Sequence, residues 1–120
     1  MLKKKNAESF LPLTHTTYYI LLALIEPLHG YGIMKKVEKM SKGTVRLGPG
    51  TLYGALSKLE KQALIVKLDE VNSERKKSYI ITDFGFEVVT LEFKRLEDLV
   101  QLSHDYLQEL GGRENEEKNL

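Results

Sequence analysis

Hydrophobic and polar positions divide the chain into four helical segments and a pair of short strands. From Thr14 to Glu26, the residues Tyr18, Ile20, Leu21, Leu22, Leu24 and Ile25 leave little polar circumference. A helix that apolar is buried on most sides, and Pro27 ends it. Leu28-His29-Gly30-Tyr31-Gly32 reads as a turn. A second helix is expected over about residues 31–40, with Ile33, Met34, Val37 and Met40 inward and Lys35, Lys36, Glu38 and Lys39 mostly outward. Gly43 suits a left-handed cap after it. A third helix begins in GPGTLYGALSKLEK, residues 48–61. At about 100° per residue, Leu52, Ala55, Leu56, Leu59 and Ala63 form its core face. Leu64 to Leu68 and Ser78 to Thr82 are rich in branched residues and read as strands, and the polar stretch between them makes a β-hairpin.

Thr82 or Asp83 caps a final helix, which Gly111-Gly112 is expected to stop. Along it Val89, Phe93, Leu96, Val100, Leu107 and Leu110 follow steps of three and four, with Ser103 in one slot, as in a heptad seam. A second stripe, Phe84, Val88, Leu91, Leu99, Leu102 and Tyr106, lies on another side. Such a helix is about 40 Å long, more than one small core covers. One stripe is therefore expected against the chain's own first helix and the other against a second copy.

Three helices, then a basic two-stranded hairpin, then a long helix define a mainly α fold with a small β-hairpin (α+β). This is the winged helix-turn-helix order, in which the third helix enters the DNA major groove and the hairpin touches the adjacent backbone. The outer side of that helix carries Gly50, Tyr53, Gly54, Ser57, Lys58 and Lys61. Glycine inside a helix costs about 1 kcal/mol relative to alanine, so Gly54 needs a reason. One is close approach to a duplex, with Thr51, Tyr53, Ser57 and Lys58 in reach of phosphates or base edges. The other is crowding against the protein's own first helix. A nucleotide-phosphate loop is excluded, because no strand precedes the glycines and no Gly-Lys-Ser/Thr follows them.

Charge strengthens the nucleic-acid reading. Residues 1–82 hold fourteen Lys or Arg against seven Asp or Glu, whereas residues 83–120 hold four against ten. The basic part suits a polyanion and the acidic part does not. Over 120 residues, 42% are hydrophobic and 29% charged, the composition of one globular domain. The absence of cysteine excludes thiolate chemistry and fits a reducing cytoplasm. His15, His29 and His104 are isolated from one another and from carboxylates at ligand spacing, so neither a metal site nor an acid–base pair is expected, and no cofactor.

The combination Leu28-His29-Gly30-Tyr31-Gly32, Leu47-Gly48-Pro49-Gly50-Thr51-Leu52-Tyr53 with Ala55-Leu56 and Leu59-Glu60, Leu64-Ile65, and Tyr79-Ile80-Ile81-Thr82-Asp83-Phe84-Gly85 resembles the PadR family of transcriptional regulators, over about residues 13–107. The resemblance implies a homodimer that binds a palindromic operator in double-stranded DNA, usually as a repressor, and that is released in many cases by a small aromatic or drug-like effector. It puts Thr51, Tyr53, Ser57 and Lys58 on the recognition helix and Arg75, Lys76 and Lys77 on the wing. Gly48, Gly54 and Ala63 depart from the family's Ser, Pro and Gly, and Asn72-Ser73-Glu74 precedes Arg75 where many relatives run Gly-Arg-Arg-Arg.

The expected division is a flexible basic arm over residues 1–12, the winged helix-turn-helix over 13–82, a dimerisation helix over 83–111 and a disordered tail over 112–120. The DNA contacts are expected at Thr51, Tyr53, Gly54, Ser57, Lys58, Lys61, Arg75, Lys76 and Lys77. Phe10, Tyr18, Tyr19, Phe93 and Tyr106 are candidates for an effector pocket between first and last helices. The competing reading is a winged-helix protein-interaction module without operator binding.

Overall fold

The computed structural model describes residues 6–68 and 77–118, with side chains as far as residue 112. After a 3-10 turn at Ala7–Phe10 come α1 (His15–Ala23), β1 (Leu28–His29), α2 (Gly30–Met40), α3 (Pro49–Lys61), β2 (Ile65–Leu68), β3 (Ser78–Ile81) and α4 (Asp83–Lys118). Ile20, Leu21 and Leu24 at the centre meet Ile33 and Val37 of α2, Leu52, Leu56 and Leu59 of α3, and Val88 of α4. The Thr14 hydroxyl starts α1 by accepting from the Thr17 amide at 3.1 Å.

The expected hairpin is the larger part of a three-stranded antiparallel sheet, in the order β1-β3-β2. The segment read as a turn contributes the third strand, pairing Leu28 with Tyr79 and His29 with Ser78. Two residues are too few to show alternation, and their partners lie far along the chain. Pairing them covers the β3 edge, which would otherwise expose unpaired amides and carbonyls. His29 also caps α2, its Nδ1 accepting from the Gly32 amide at 3.4 Å.

The described part of the N-terminal arm is anchored rather than loose. Ala7 is buried, and Phe10 meets Phe84 edge to face at 5.7 Å. The Leu13 amide donates to Glu92 Oε2 at 2.6 Å, and Arg95 Nε donates to Glu92 Oε1 at 2.5 Å. Glu92 is 1% exposed. Burial alone would raise its pKa, but the Arg95 and Leu13 hydrogen bonds and the charges of Arg95 and His15 outweigh it and hold the carboxyl below its ordinary value.

Helix α3 closes with a Schellman motif: the Ala63 amide donates to the Glu60 carbonyl and the Leu64 amide to the Leu59 carbonyl, each at 3.0 Å. Ala63 is therefore not on the core face of α3. It lies past the helix end, exposed, with φ of 61°. Thr82 binds this cap to α4. Its hydroxyl donates to the Ala63 carbonyl at 2.7 Å and accepts from the Gly85 amide at 2.9 Å, and its amide donates to the Leu64 carbonyl at 3.0 Å. Gly85 packs so tightly that a Cβ there would run into the Leu64 carbonyl oxygen.

Helix α4 does not stop at Gly111-Gly112 but runs through both to Lys118. Glycine weakens a helix without forbidding it, and neither glycine takes the left-handed conformation that a stop requires. The first part of the expected tail is thus helical.

An alanine in the left-handed region is strained by roughly 1 kcal/mol or more. Ala63→Gly is expected to raise unfolding free energy by about 0.5–1 kcal/mol in urea denaturation. The lowered Glu92 pKa means that its stabilisation is complete above the ordinary glutamate value and is lost as pH falls through the folded value. Unfolding free energy measured from about pH 6 down to about pH 3 should therefore drop more steeply for the wild type than for Glu92→Gln.

Candidate nucleic-acid interface

The candidate interface is built on α3. Gly48 and Pro49 start it, proline suiting a first turn in which no intrahelical amide is needed. Leu52, Leu56 and Leu59 bury one side in the core and Ala55 is half-buried beside them. Thr51, Tyr53, Gly54, Ser57, Lys58 and Lys61 are all exposed, as expected. Gly50, Gly54, Ser57 and Lys61 lie directly opposite the core, with Tyr53 on one flank and Thr51 and Lys58 on the other.

Neither Gly50 nor Gly54 has an atom within 4 Å of where a Cβ would stand. Crowding against α1 therefore does not explain Gly54. The bare strip is open on the outside, as close approach to an external surface requires.

The flanks differ. Tyr53 leans back onto the start of α2, where a Cβ on Gly30 would collide with its hydroxyl. It also borders Tyr79, whose phenol is held above its ordinary pKa first by burial, then by Glu60 and Tyr53. On the other flank, Lys58 borders a cavity of about 200 Å³ shared with Phe10, Leu13, Thr17 and Gln62. Lys77 is exposed just before β3, whereas Arg75 and Lys76 lie outside the described residues. Lys67, not anticipated from the sequence, is exposed on β2 with its ammonium 5.7 Å from the Tyr79 ring centre. Its signal was the cross-strand register, invisible until Lys67 is paired with Tyr79.

The long helix divides along its length rather than around its circumference. Val88 and Val89 are buried in the chain's own core, and Phe84 and Leu91 pack on it. Val89 thus drops out of the expected dimerisation set, because the first turns of α4 already use both apolar stripes. Leu96 is half-buried. Beyond it Leu99, Val100, Leu102, Tyr106, Leu107 and Leu110 are exposed, as is Phe93. The five aromatic residues considered for an effector do not form one pocket within the chain. Phe10 is taken by Phe84, Tyr18 and Tyr19 pack on the core, and Phe93 and Tyr106 point to solvent. Among the described residues, no cluster of three or more His, Cys, Asp or Glu could hold a metal ion, and no helix is long and apolar enough to cross a membrane.

Three packed helices with a short antiparallel sheet behind them, and a third helix open on its outer side, constitute a winged helix-turn-helix domain of the DNA-binding kind. The chain belongs to the PadR-like family of transcriptional regulators, which matches residues 20–90. Regulators of this family act by binding DNA rather than as enzymes. It is 20% identical to a transcriptional regulator from Clostridium thermocellum, over 82% of this chain and 93% of that one, with a TM-score of 0.61. A PadR family transcriptional regulator from Eggerthella lenta is 24% identical over 77% of each chain, TM-score 0.60. One from Clostridium difficile is 22% identical over 76% of this chain and 97% of that one, TM-score 0.61. These likenesses concern the fold. An uncharacterized 37.1 kDa protein in transposon TN4556 of Streptomyces fradiae is 42% identical over 74 residues, and the chain spans 20% of that protein's length.

Gly54→Ala should separate stability from binding. With nothing to collide with, the new methyl raises helix stability by up to about 1 kcal/mol, read as a higher melting temperature. The same methyl should weaken duplex binding in a gel shift; undiminished affinity would show that the bare strip is not a contact surface.

Proposed function

We propose that the chain is a cytoplasmic, operator-binding repressor that acts as a homodimer. The observation that carries this reading is the open, glycine-thinned strip on α3, flanked by Tyr53 and Lys58 and ending at Lys61. Ser57 and Thr51 would reach base edges, and Lys58, Lys61, Lys77 and the wing's Arg75 and Lys76 would meet phosphates. Affinity would then fall steeply with salt as counterions are released.

The dimer reading is supported by the apolar residues exposed along α4 beyond Leu96, at heptad spacing. Phe93, Leu96, Val100, Leu107 and Leu110 would meet the same residues of a second copy, and the other stripe would flank that seam. Two α3 helices set roughly 34–36 Å apart would read a palindromic site in successive major grooves. A small aromatic effector would release DNA by favouring a dimer in which that separation differs.

Lys58→Ala or Arg75→Ala is expected to lower affinity for genomic fragments retained by the wild type, leaving the dimer intact. Val100→Glu combined with Leu107→Glu should halve the mass seen by light scattering and abolish high-affinity binding. Full affinity of the lysine and arginine variants at fixed salt would remove them from the interface. Binding of protein but of no duplex would favour an interaction module instead.

A further inference from the structure

Two lysines among the described residues lie over tyrosine rings. Lys35 Nζ is 5.1 Å from the centre of the Tyr31 ring, and Lys67 Nζ is 5.7 Å from that of Tyr79. Both elements that carry these lysines, α2 and β2, pack against α3. On one side the Tyr53 hydroxyl reaches Gly30, the residue before Tyr31. On the other, Lys67 of β2 stands directly across from Tyr79 of β3.

The two ammonium groups differ from Lys36 and Arg46, which are paired. Lys36 pairs with Glu26, and Arg46 with Glu38. Neither Lys35 nor Lys67 forms an ion pair among the described residues. A tyrosine ring holds an ammonium by its negative face without neutralising it. Each lysine is thus placed in advance with its charge free for a partner. The partner must be anionic, and it would lie beside α3, since α2 and β2 both pack against that helix. A duplex whose groove receives α3 presents backbone phosphates along both edges of that groove.

We propose that Lys35 and Lys67, each held over a tyrosine, bind backbone phosphates of double-stranded DNA beside α3. The assignment rests on α3 entering the groove. It adds a contact from α2 and one from the base of the wing to those of α3 itself. Both contacts are indifferent to sequence, because a phosphate carries none.

The test uses the full chain, a genomic duplex that it retains and a scrambled duplex of equal length, each titrated at several salt concentrations. Lys35→Ala and Lys67→Ala should each flatten the plot of log affinity against log salt by about 1. Each should weaken both duplexes by the same factor, leaving their ratio unchanged. Lys39→Ala, one turn further along α2, should keep the wild-type slope. Wild-type slopes in Lys35→Ala and Lys67→Ala would overturn the proposal, as would an equal loss in Lys39→Ala, which would mark general charge rather than placed contacts. A wild type that binds no duplex would instead overturn the DNA reading of α3, so the two failures are distinguishable. Thermal melting near that of the wild type confirms that the variants fold, both side chains being exposed.

Discussion

Four elements of this protein are tied together within residues 81–85. The Ile81 amide donates to the Leu24 carbonyl at the end of α1, at 2.8 Å. Thr82 takes both carbonyls that follow α3 and starts α4 with the same hydroxyl. Gly85 brings α4 against the Leu64 carbonyl. Buried backbone groups must find partners, and here the end of one helix supplies what the beginning of another lacks. The Ala63 and Leu64 carbonyls that follow the α3 cap are both taken by Thr82 at the α4 start. Helix α3, the sheet and the long helix consequently meet at one hydrogen-bonded joint.

A second tie lies further along α4. Glu92 reaches across 79 positions to the Leu13 amide and binds the N-terminal segment over the helix. That carboxylate is buried, yet Arg95 and the amide together satisfy it. Up to about this point α4 is an ordinary helix of a small core. Past Leu96 it leaves the domain, and its apolar residues lie exposed on more than one side. At 36 residues it spans about 54 Å, which accounts for a longest dimension of 72 Å in so short a chain. The acidic residues concentrate on this projecting part, while the basic ones stay with α2, α3 and the strands.

What was legible in the sequence follows from what leaves a local trace. Helical periodicity gave α1, α2, the core side of α3 and the start of α4, since Leu52, Leu56, Leu59 and Val88 recur at spacings that only a helix puts on one side. Thr82 was legible as a cap because capping is local. The missed features depend on partners distant in sequence. Strand β1 exists because β3 has a free edge, and the anchoring of residues 6–13 depends on Phe84 and Glu92. Ala63 was misplaced because alanine carries no sign of left-handed backbone, where the glycine of many relatives would have shown one. Val89 fits the heptad seam by spacing alone, but spacing does not tell where along a helix one's own core ends.

The bare strip of α3 has a consequence for how recognition is divided. Glycines at positions 50 and 54 allow close approach, but they remove two side chains that could have read bases. In the proposed interface few readers are left, of which Ser57 and Thr51 are short and Tyr53 is partly engaged with Gly30, so sequence discrimination from α3 alone would be limited. Affinity and orientation would then come from around the strip. Cations that are already positioned lose little side-chain freedom on binding, so they contribute more per contact than a lysine that must be ordered. A helix that gains proximity by giving up side chains is best served by a rim that is charged and pre-placed, and the tyrosine-held Lys35 and Lys67, on elements packed against α3, have both properties.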